Sequence, residues 1–364
     1  MESIITRPTL LLDVLKCKKN IDLMFEKAKR NKVRFRPHFK THQSHEIGRW
    51  FRLLGIDAIT VSSLQMAEYF ANDDWNDITV AFPVNILEIE NIKRLAERIS
   101  LNLQVESADV VNLLDKRLQH PVNAFVKIDI GNHRTGIGYD DLPLINTVMK
   151  SIENSDHITF KGFICHAGQS YTSKSQIETG IIHYESISRL KKLKENYFRR
   201  FTDLVLSTGD TPTCSVMEDF SGVDEIRPGN FVFYDLMQHR IGSCSTDQIA
   251  VAMACPVVAI HKERNEIIIY GGAVHFSKER IEDPTMGTLY GAVAEDRQEG
   301  WGEIIEGMYL SKLSQEHGTI QVPGHLINNY NIGDIIKIIP VHSCLTSQCM
   351  RSYLTTKGKM ISRF

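Results

Sequence analysis

No stretch of this 364-residue sequence stays apolar for long, and none approaches the roughly 20 residues needed to span a bilayer. Thr9–Leu12 is apolar, but Asp13 and Lys16 interrupt it at once, and no cationic segment precedes it, so no secretory leader is expected. An excess of either charge is also missing. Forty-two Lys and Arg against 44 Asp and Glu leave a net charge of -2, which gives no general pull toward nucleic acid or acidic membranes. No Gly-x-Gly-x-x-Gly turn follows the first strand-like segment, which counts against an open dinucleotide-binding sheet. Cysteine is sparse and odd in number, with seven residues at 17, 165, 214, 244, 255, 344 and 349. That usage fits reduced thiols in the cytosol rather than a disulfide framework. Short repeats and low-complexity tracts are absent too. What remains, 42% hydrophobic and 24% charged, is a globular composition with a sizeable core. The length suits one large domain with a smaller one, or two ordinary domains.

Two hydrophobic periods alternate along the first two-thirds. Over Asp13–Arg30, Leu15, Ile21, Met24, Phe25 and Ala28 recur at helical spacing. Val33–Pro37 then reads as a strand, followed by seven more: Ala58–Ser62, Ile78–Phe82, Leu101–Val105, Ala124–Ile130, Ile158–Cys165, Leu204–Ser207 and Phe231–Tyr234. Helical patterns separate most of them, at Leu64–Ala71, Ile86–Arg98, Ser107–Leu118, Leu142–Glu153 and Ser173–Phe198. Alternation of this kind implies parallel strands joined by crossovers. Eight is the number that closes a (β/α)8 TIM barrel. After about residue 240 the texture changes. Ile249–Ile260, Glu266–Tyr270 and Ile335–Pro340 follow one another between turn residues such as Gly271-Gly272 and Pro323-Gly324. The expectation is an α/β chain, with a barrel over 13–240 and an antiparallel β domain over 241–364 that the first 12 residues join.

Functional residues of a parallel barrel gather at the C-terminal ends of its strands, and polar clusters fall there repeatedly. Lys40 follows the first strand in Arg36-Pro-His-Phe-Lys-Thr-His42. It is either an ordinary solvated lysine or an amine held among rings and cations, a setting suited to Schiff-base chemistry. Ser207-Thr-Gly-Asp-Thr-Pro-Thr213 is either a plain turn or a loop presenting N–H groups and hydroxyls to a phosphate. His342-Ser-Cys344 is the sharpest metal signal, because residues two apart on a strand share a face and both side chains suit zinc. The bland alternative is a buried Cys beside a hydrogen-bonded His. His38, His42 and His45 cluster, but Pro37 and the loop context make a helical metal site there unexpected; they are candidates to tune Lys40.

Taken together, these segments resemble the fold-type III pyridoxal-phosphate (PLP) enzymes, the alanine racemase-like superfamily. The resemblance points to the D-serine dehydratase and D-threonine aldolase branch and spans essentially the whole chain. It implies that Lys40 is the Schiff-base lysine. Lys127-Ile-Asp-Ile-Gly-Asn-His-Arg-Thr-Gly136 is similar to the segment that brings an arginine, here Arg134, to the cofactor's phenolic oxygen. His166-Ala-Gly-Gln-Ser-Tyr171 resembles the stretch that places His166 and Tyr171 near cofactor and substrate. The 207–213 loop and Glu225-Ile-Arg-Pro-Gly-Asn230 resemble the phosphate loops, which assigns Ser207, Gly209, Thr211, Gly229 and Asn230 to phosphate and Arg227 to the pyridine ring. His342 and Cys344 resemble the branch's divalent metal pair, with zinc favoured by the soft sulfur.

The implied function is a cytoplasmic, homodimeric, PLP- and metal-dependent lyase of D-amino acid metabolism, with no nucleic acid or membrane partner. Its expected reaction converts D-serine or D-threonine to a 2-oxo acid and ammonia. In that scheme Lys40 removes the α-proton and the metal polarises the β-hydroxyl. Aldolase-type cleavage to glycine and an aldehyde is the alternative. An amino acid racemase and a non-catalytic PLP carrier come third, since the racemases' C-terminal tyrosine motif has no good counterpart here and carriers lack the β domain.

Overall fold

A computed structural model describes residues 5–364. The chain divides into two compact units: Leu23–Gly229, and the N-terminal segment up to Asp22 together with Asn230–Phe364. The divisions fall at 22/23 and 229/230, away from the 12/13 and 240/241 read from the sequence. One reason lies in Asn20. Its amide donates to the carbonyl of Gln248 at 2.8 Å and faces that of Val232 at 3.5 Å, which commits the first turns of helix Val14–Arg30 to the second unit.

The 23–229 unit is a ring of parallel strands. In spatial order they are Arg34–Phe35, Glu225–Ile226, Val205–Thr208, Ile158–Ile164, Val122–Asp129, Ser100–Val105, Asp77–Pro83 and Ala58–Val61. The extension of the first strand meets the last member of this path through a parallel bridge between His38 and Thr60. Phe39 N–H donates to the Thr60 carbonyl and Thr60 N–H to that of Pro37, so the ring is nearly closed. Helices Leu64–Ala71 and Leu142–Glu153 keep their sequence-predicted limits. Ser63 and Asp141 cap them through their side-chain oxygens, satisfying N–H groups that the first helical turn leaves unpaired.

The eighth strand is a correction. Phe231–Tyr234 belongs to the other unit, where Asn230–Val232 forms a 3-10 turn, and Glu225–Ile226 fills the eighth place instead. Buried polar groups run through this ring. Arg36 donates to both oxygens of Asp77, at 2.6 and 3.1 Å, and through Nε to Glu225 at 2.6 Å. Asn102 extends the network to Asp77 at 2.8 Å, and Asn123 extends it to Asn102 at 3.1 Å.

In the other unit, six antiparallel strands close on themselves: Glu266–Tyr270, His317–Gln321, Gly300–Leu313, Gly291–Arg297, Ile335–Pro340 and Val251–His261, the last pairing back with the first. Thr9–Leu12 lies antiparallel to Val251–His261 and parallel to Ser352–Thr355, which lengthens the sheet. Residues 1–4 of the expected N-terminal contribution lie outside the described residues. All seven cysteines are thiols. Among the described residues no helix is long and apolar enough to cross a membrane.

Candidate active site

Lys40 sits just beyond the first barrel strand, half-buried. Its backbone N–H points at Nδ1 of His38, 3.3 Å away, and its carbonyl accepts from the Gln43 amide at 2.8 Å. Phe39 anchors the turn from below, packed edge-on against Phe70 and Trp75 with ring centroids 5.0 and 5.1 Å away. Phe39 is thereby buried in the core, while His38 and Lys40 on either side of it stay partly exposed.

Electrostatics tie the sequence-predicted residues together. Burial, then the cations Lys40 and Arg227 and the ring of His166, hold His38 well below the ordinary histidine range. Burial pushes His166 down to about 3, against its hydrogen bond to the Gly209 carbonyl, and Lys40, Lys127 and Arg134 add to the depression. Both imidazoles are thus neutral at physiological pH. Lys127, buried in the wall, is lowered to about 8 by burial and by Arg227 and Arg134, with Cys165 and Asp129 opposing. His38 thus feels Lys40 and Arg227, and His166 feels Lys40 and Arg134, a cationic setting beyond the C-terminal ends of the ring's strands.

Local backbone chemistry explains the placement. Asp129 Oδ1 accepts the N–H groups of Gly131, Asn132 and His133, which folds the turn that presents the exposed Arg134. Glu106 closes the same turn by accepting from Gly136 N–H at 2.6 Å. Tyr171 lies in a 3-10 turn, Gly168–Thr172, and its hydroxyl accepts from Thr211 N–H at 3.3 Å. Asp210 caps helix Thr211–Val216 through Thr213 N–H, and its carboxyl is pushed up to about 6 by burial, with that N–H and the Ser170 and Thr213 hydroxyls pulling it down. Gly209 has φ +147°, and a Cβ there would run into the Arg227 backbone. At Gly229 a Cβ would stand 2.9 Å from the His38 carbonyl oxygen. Only glycine lets these two loops approach the strands so closely.

The Ser207 hydroxyl is fully buried; it donates to Glu225 Oε1 at 2.6 Å and accepts from Arg227, whose other nitrogen donates to the Cys165 carbonyl at 2.5 Å. It joins a wall network running Arg36–Glu225–Ser207–Arg227. Arg36 and Glu225 both lie inside the motifs around Lys40 and Arg227, yet nothing in the local sequence marks them as partners across 189 positions.

The Asn230 amide nitrogen is engaged within the β-domain unit. It donates to Asp235 Oδ2 at 2.6 Å and to Ser343 Oγ at 3.1 Å, and lies 3.5 Å from Cys344 Sγ. His342 and Cys344 lie in that unit on a helix start rather than a strand. His342 is the N-cap of Ser343–Cys349, whose first N–H is accepted by Asp235 at 2.9 Å. The two side chains nonetheless meet in a hydrogen bond. Burial works to lower the imidazole, but Cys344 and the carboxylates of Asp235 and Glu279 outweigh it and raise His342 to about 9.

No group of three or more His, Cys, Asp or Glu side chains is gathered for a metal among the described residues. A soft sulfur and an imidazole in contact, under negative potential, fit a divalent ion that keeps open coordination positions. For PLP the donor set also fits: an amine for its aldehyde, arginines for its oxygens, and a glycine-containing loop for its phosphate.

Comparison with known proteins agrees with both units. Residues 12–236 match the family model "Alanine racemase, N-terminal domain", and residues 250–356 match "Putative serine dehydratase domain". A D-serine dehydratase of Dictyostelium discoideum is 28% identical, covering 94% of this chain and 91% of its own. The D-threo-3-hydroxyaspartate dehydratase of Delftia sp. (strain HT23) is 26% identical over 95% of this chain and 93% of its own. The solved structure of that Delftia enzyme superposes with a TM-score of 0.91 at 26% identity, covering 100% of this chain and 98% of that one.

Proposed function

From the chain's membership of the alanine racemase N-terminal domain family of fold-type III PLP enzymes, we propose that it is a PLP- and metal-dependent lyase that dehydrates a small D-β-hydroxy amino acid to a 2-oxo acid and ammonia. D-serine, D-threonine and D-threo-3-hydroxyaspartate are the first substrates to consider, given the relatives' names. The observation that carries the reading is the hydrogen-bonded His342–Cys344 pair in a chain whose barrel also presents Lys40 amid neutral imidazoles and arginines.

Lys40 would hold the aldehyde of PLP, Arg134 its phenolic oxygen and Arg227 its ring edge, with Gly209, Thr211 and Gly229 lending backbone to the phosphate. When bound, that cofactor supplies an electron sink for charge at the substrate Cα. The ε-amine of Lys40 would take the Cα proton. His38 and His166 are held neutral, so they add no positive charge beside the reacting amine. Tyr171, with its hydroxyl at Thr211 N–H, orients the substrate side of the mouth. His342 and Cys344 would hold a divalent ion, zinc by the softness of the sulfur, which acts as a Lewis acid toward a β-hydroxyl. The assembly is taken to be a homodimer in the cytosol, which light scattering of the purified protein tests.

Product analysis decides the reaction. Pyruvate, 2-oxobutyrate or oxaloacetate with ammonia supports dehydration, whereas glycine with an aldehyde replaces it with aldol cleavage. Turnover of none of these D-amino acids overturns the lyase reading in favour of a PLP carrier.

A further inference from the structure

The His342 ring is only half accounted for by its contact with Cys344. Its Nδ1 is buried and makes no hydrogen bond, so the hydrogen bond to Cys344 uses Nε2. Facing that orphaned nitrogen, 4.0 Å away, is Oε2 of Glu279. The other carboxylate near the ring is already committed. Asp235 Oδ2 accepts from Asn230, Ser343 N–H and the Ser343 hydroxyl, and Oδ1 from Gln238 N–H.

Glu279 is set up differently. Its own N–H is held by Ser277 Oγ at 3.2 Å, following a left-handed residue at Ser277 (φ 70°), and neighbouring Arg280 pairs with Glu282 rather than with it. Its side chain is 40% exposed, so it can move the final ångström.

Building on the metal reading of His342 and Cys344, we propose that Glu279 is the positioning carboxylate of the metal centre, accepting the Nδ1 proton of His342 when Nε2 turns to the ion. A metal on Nε2 obliges the ring to carry its proton on Nδ1, and a buried N–H without an acceptor is destabilising. Closing the 4.0 Å gap to hydrogen-bond distance removes that cost, fixes the tautomer and raises the basicity of the liganding nitrogen. Glu279 then acts through His342, without being a ligand itself.

The test measures the Zn2+ affinity of the PLP-loaded protein by chelator competition, for wild type, Glu279→Ala, Glu279→Gln and His342→Ala. Loss of an outer carboxylate of this kind typically weakens metal binding about 10- to 100-fold, and that is the change expected for Glu279→Ala. Glu279→Gln should fall between, because its amide oxygen still accepts the proton but carries no charge. The metal-free Glu279→Ala protein should melt with wild type, which separates positioning from a fold defect. Glu279→Ala binding Zn2+ as tightly as wild type, while His342→Ala loses it, overturns the inference and leaves the metal reading intact. Wild-type affinity in His342→Ala overturns both.

Discussion

Replacing Glu225 with Gln tests whether the wall behind Lys40 is held by charge. Glu225 is 2% exposed, accepts from Arg36 Nε and from Ser207 Oγ at 2.6 Å each, and is the principal anionic partner of the buried Arg227. Glutamine preserves the shape and one acceptor oxygen but removes the charge. Breaking a buried ion pair by neutralising one partner costs about 3–5 kcal/mol. Asp77 still compensates Arg36 through two contacts, so the loss should sit lower, at about 2–4 kcal/mol. For a cooperative unit of this size each kcal/mol moves Tm by about 2–4 °C, which gives a drop of about 4–16 °C by calorimetry. A surface control, Glu90→Gln in the exposed Lys93–Glu90 pair, should cost less than about 1 kcal/mol. If the two variants melt together, the wall is held by packing and the charge argument is wrong.

Other expectations follow from the same geometry. Asp210 keeps its proton up to about pH 6 in the folded protein, whereas an unfolded aspartate loses it near about 4. Its contribution therefore grows unfavourable as pH rises through that window, by about 3 kcal/mol in all. Urea denaturation from pH 4 to 7 should show Asp210→Asn escaping that fall, and parallel curves would contradict it. Tyr171→Phe removes the hydroxyl at Thr211 N–H and should lower kcat by about 10²-fold through lost positioning, while leaving PLP absorbance unchanged. Treatment with EDTA, or Cys344→Ala, should abolish 2-oxo acid formation and metal content but not cofactor content; full activity without metal would remove the pair from the mechanism.

Long periodic segments were legible from sequence. Helices Leu64–Ala71 and Leu142–Glu153 and strands Glu266–Tyr270 and Ile335–Pro340 stand where their patterns put them. Two short ones were not. Phe231–Tyr234 is apolar because it is buried, and four buried residues read alike in a strand or a turn. The true eighth strand, Glu225–Ile226, is two residues long and begins with a buried carboxylate that a strand pattern counts as surface. His342-Ser-Cys344 stands out in the sequence as a candidate pair, but its helical geometry depends on Asp235, 108 positions from Ser343. The side-chain partners of Ser207 and Asn230 are not legible locally either. Each is claimed by partners, Glu225 with Arg227 and Asp235 with Ser343, that only the folded chain brings near.

The ε-amine of residue 40 carries the whole account, and one spectrum interrogates it. PLP bound through that lysine should absorb near about 420 nm, and Lys40→Ala, saturated with PLP and desalted, should lack the band. A Lys40→Ala protein that keeps wild-type absorbance would place the cofactor on another amine and contradict the site described above.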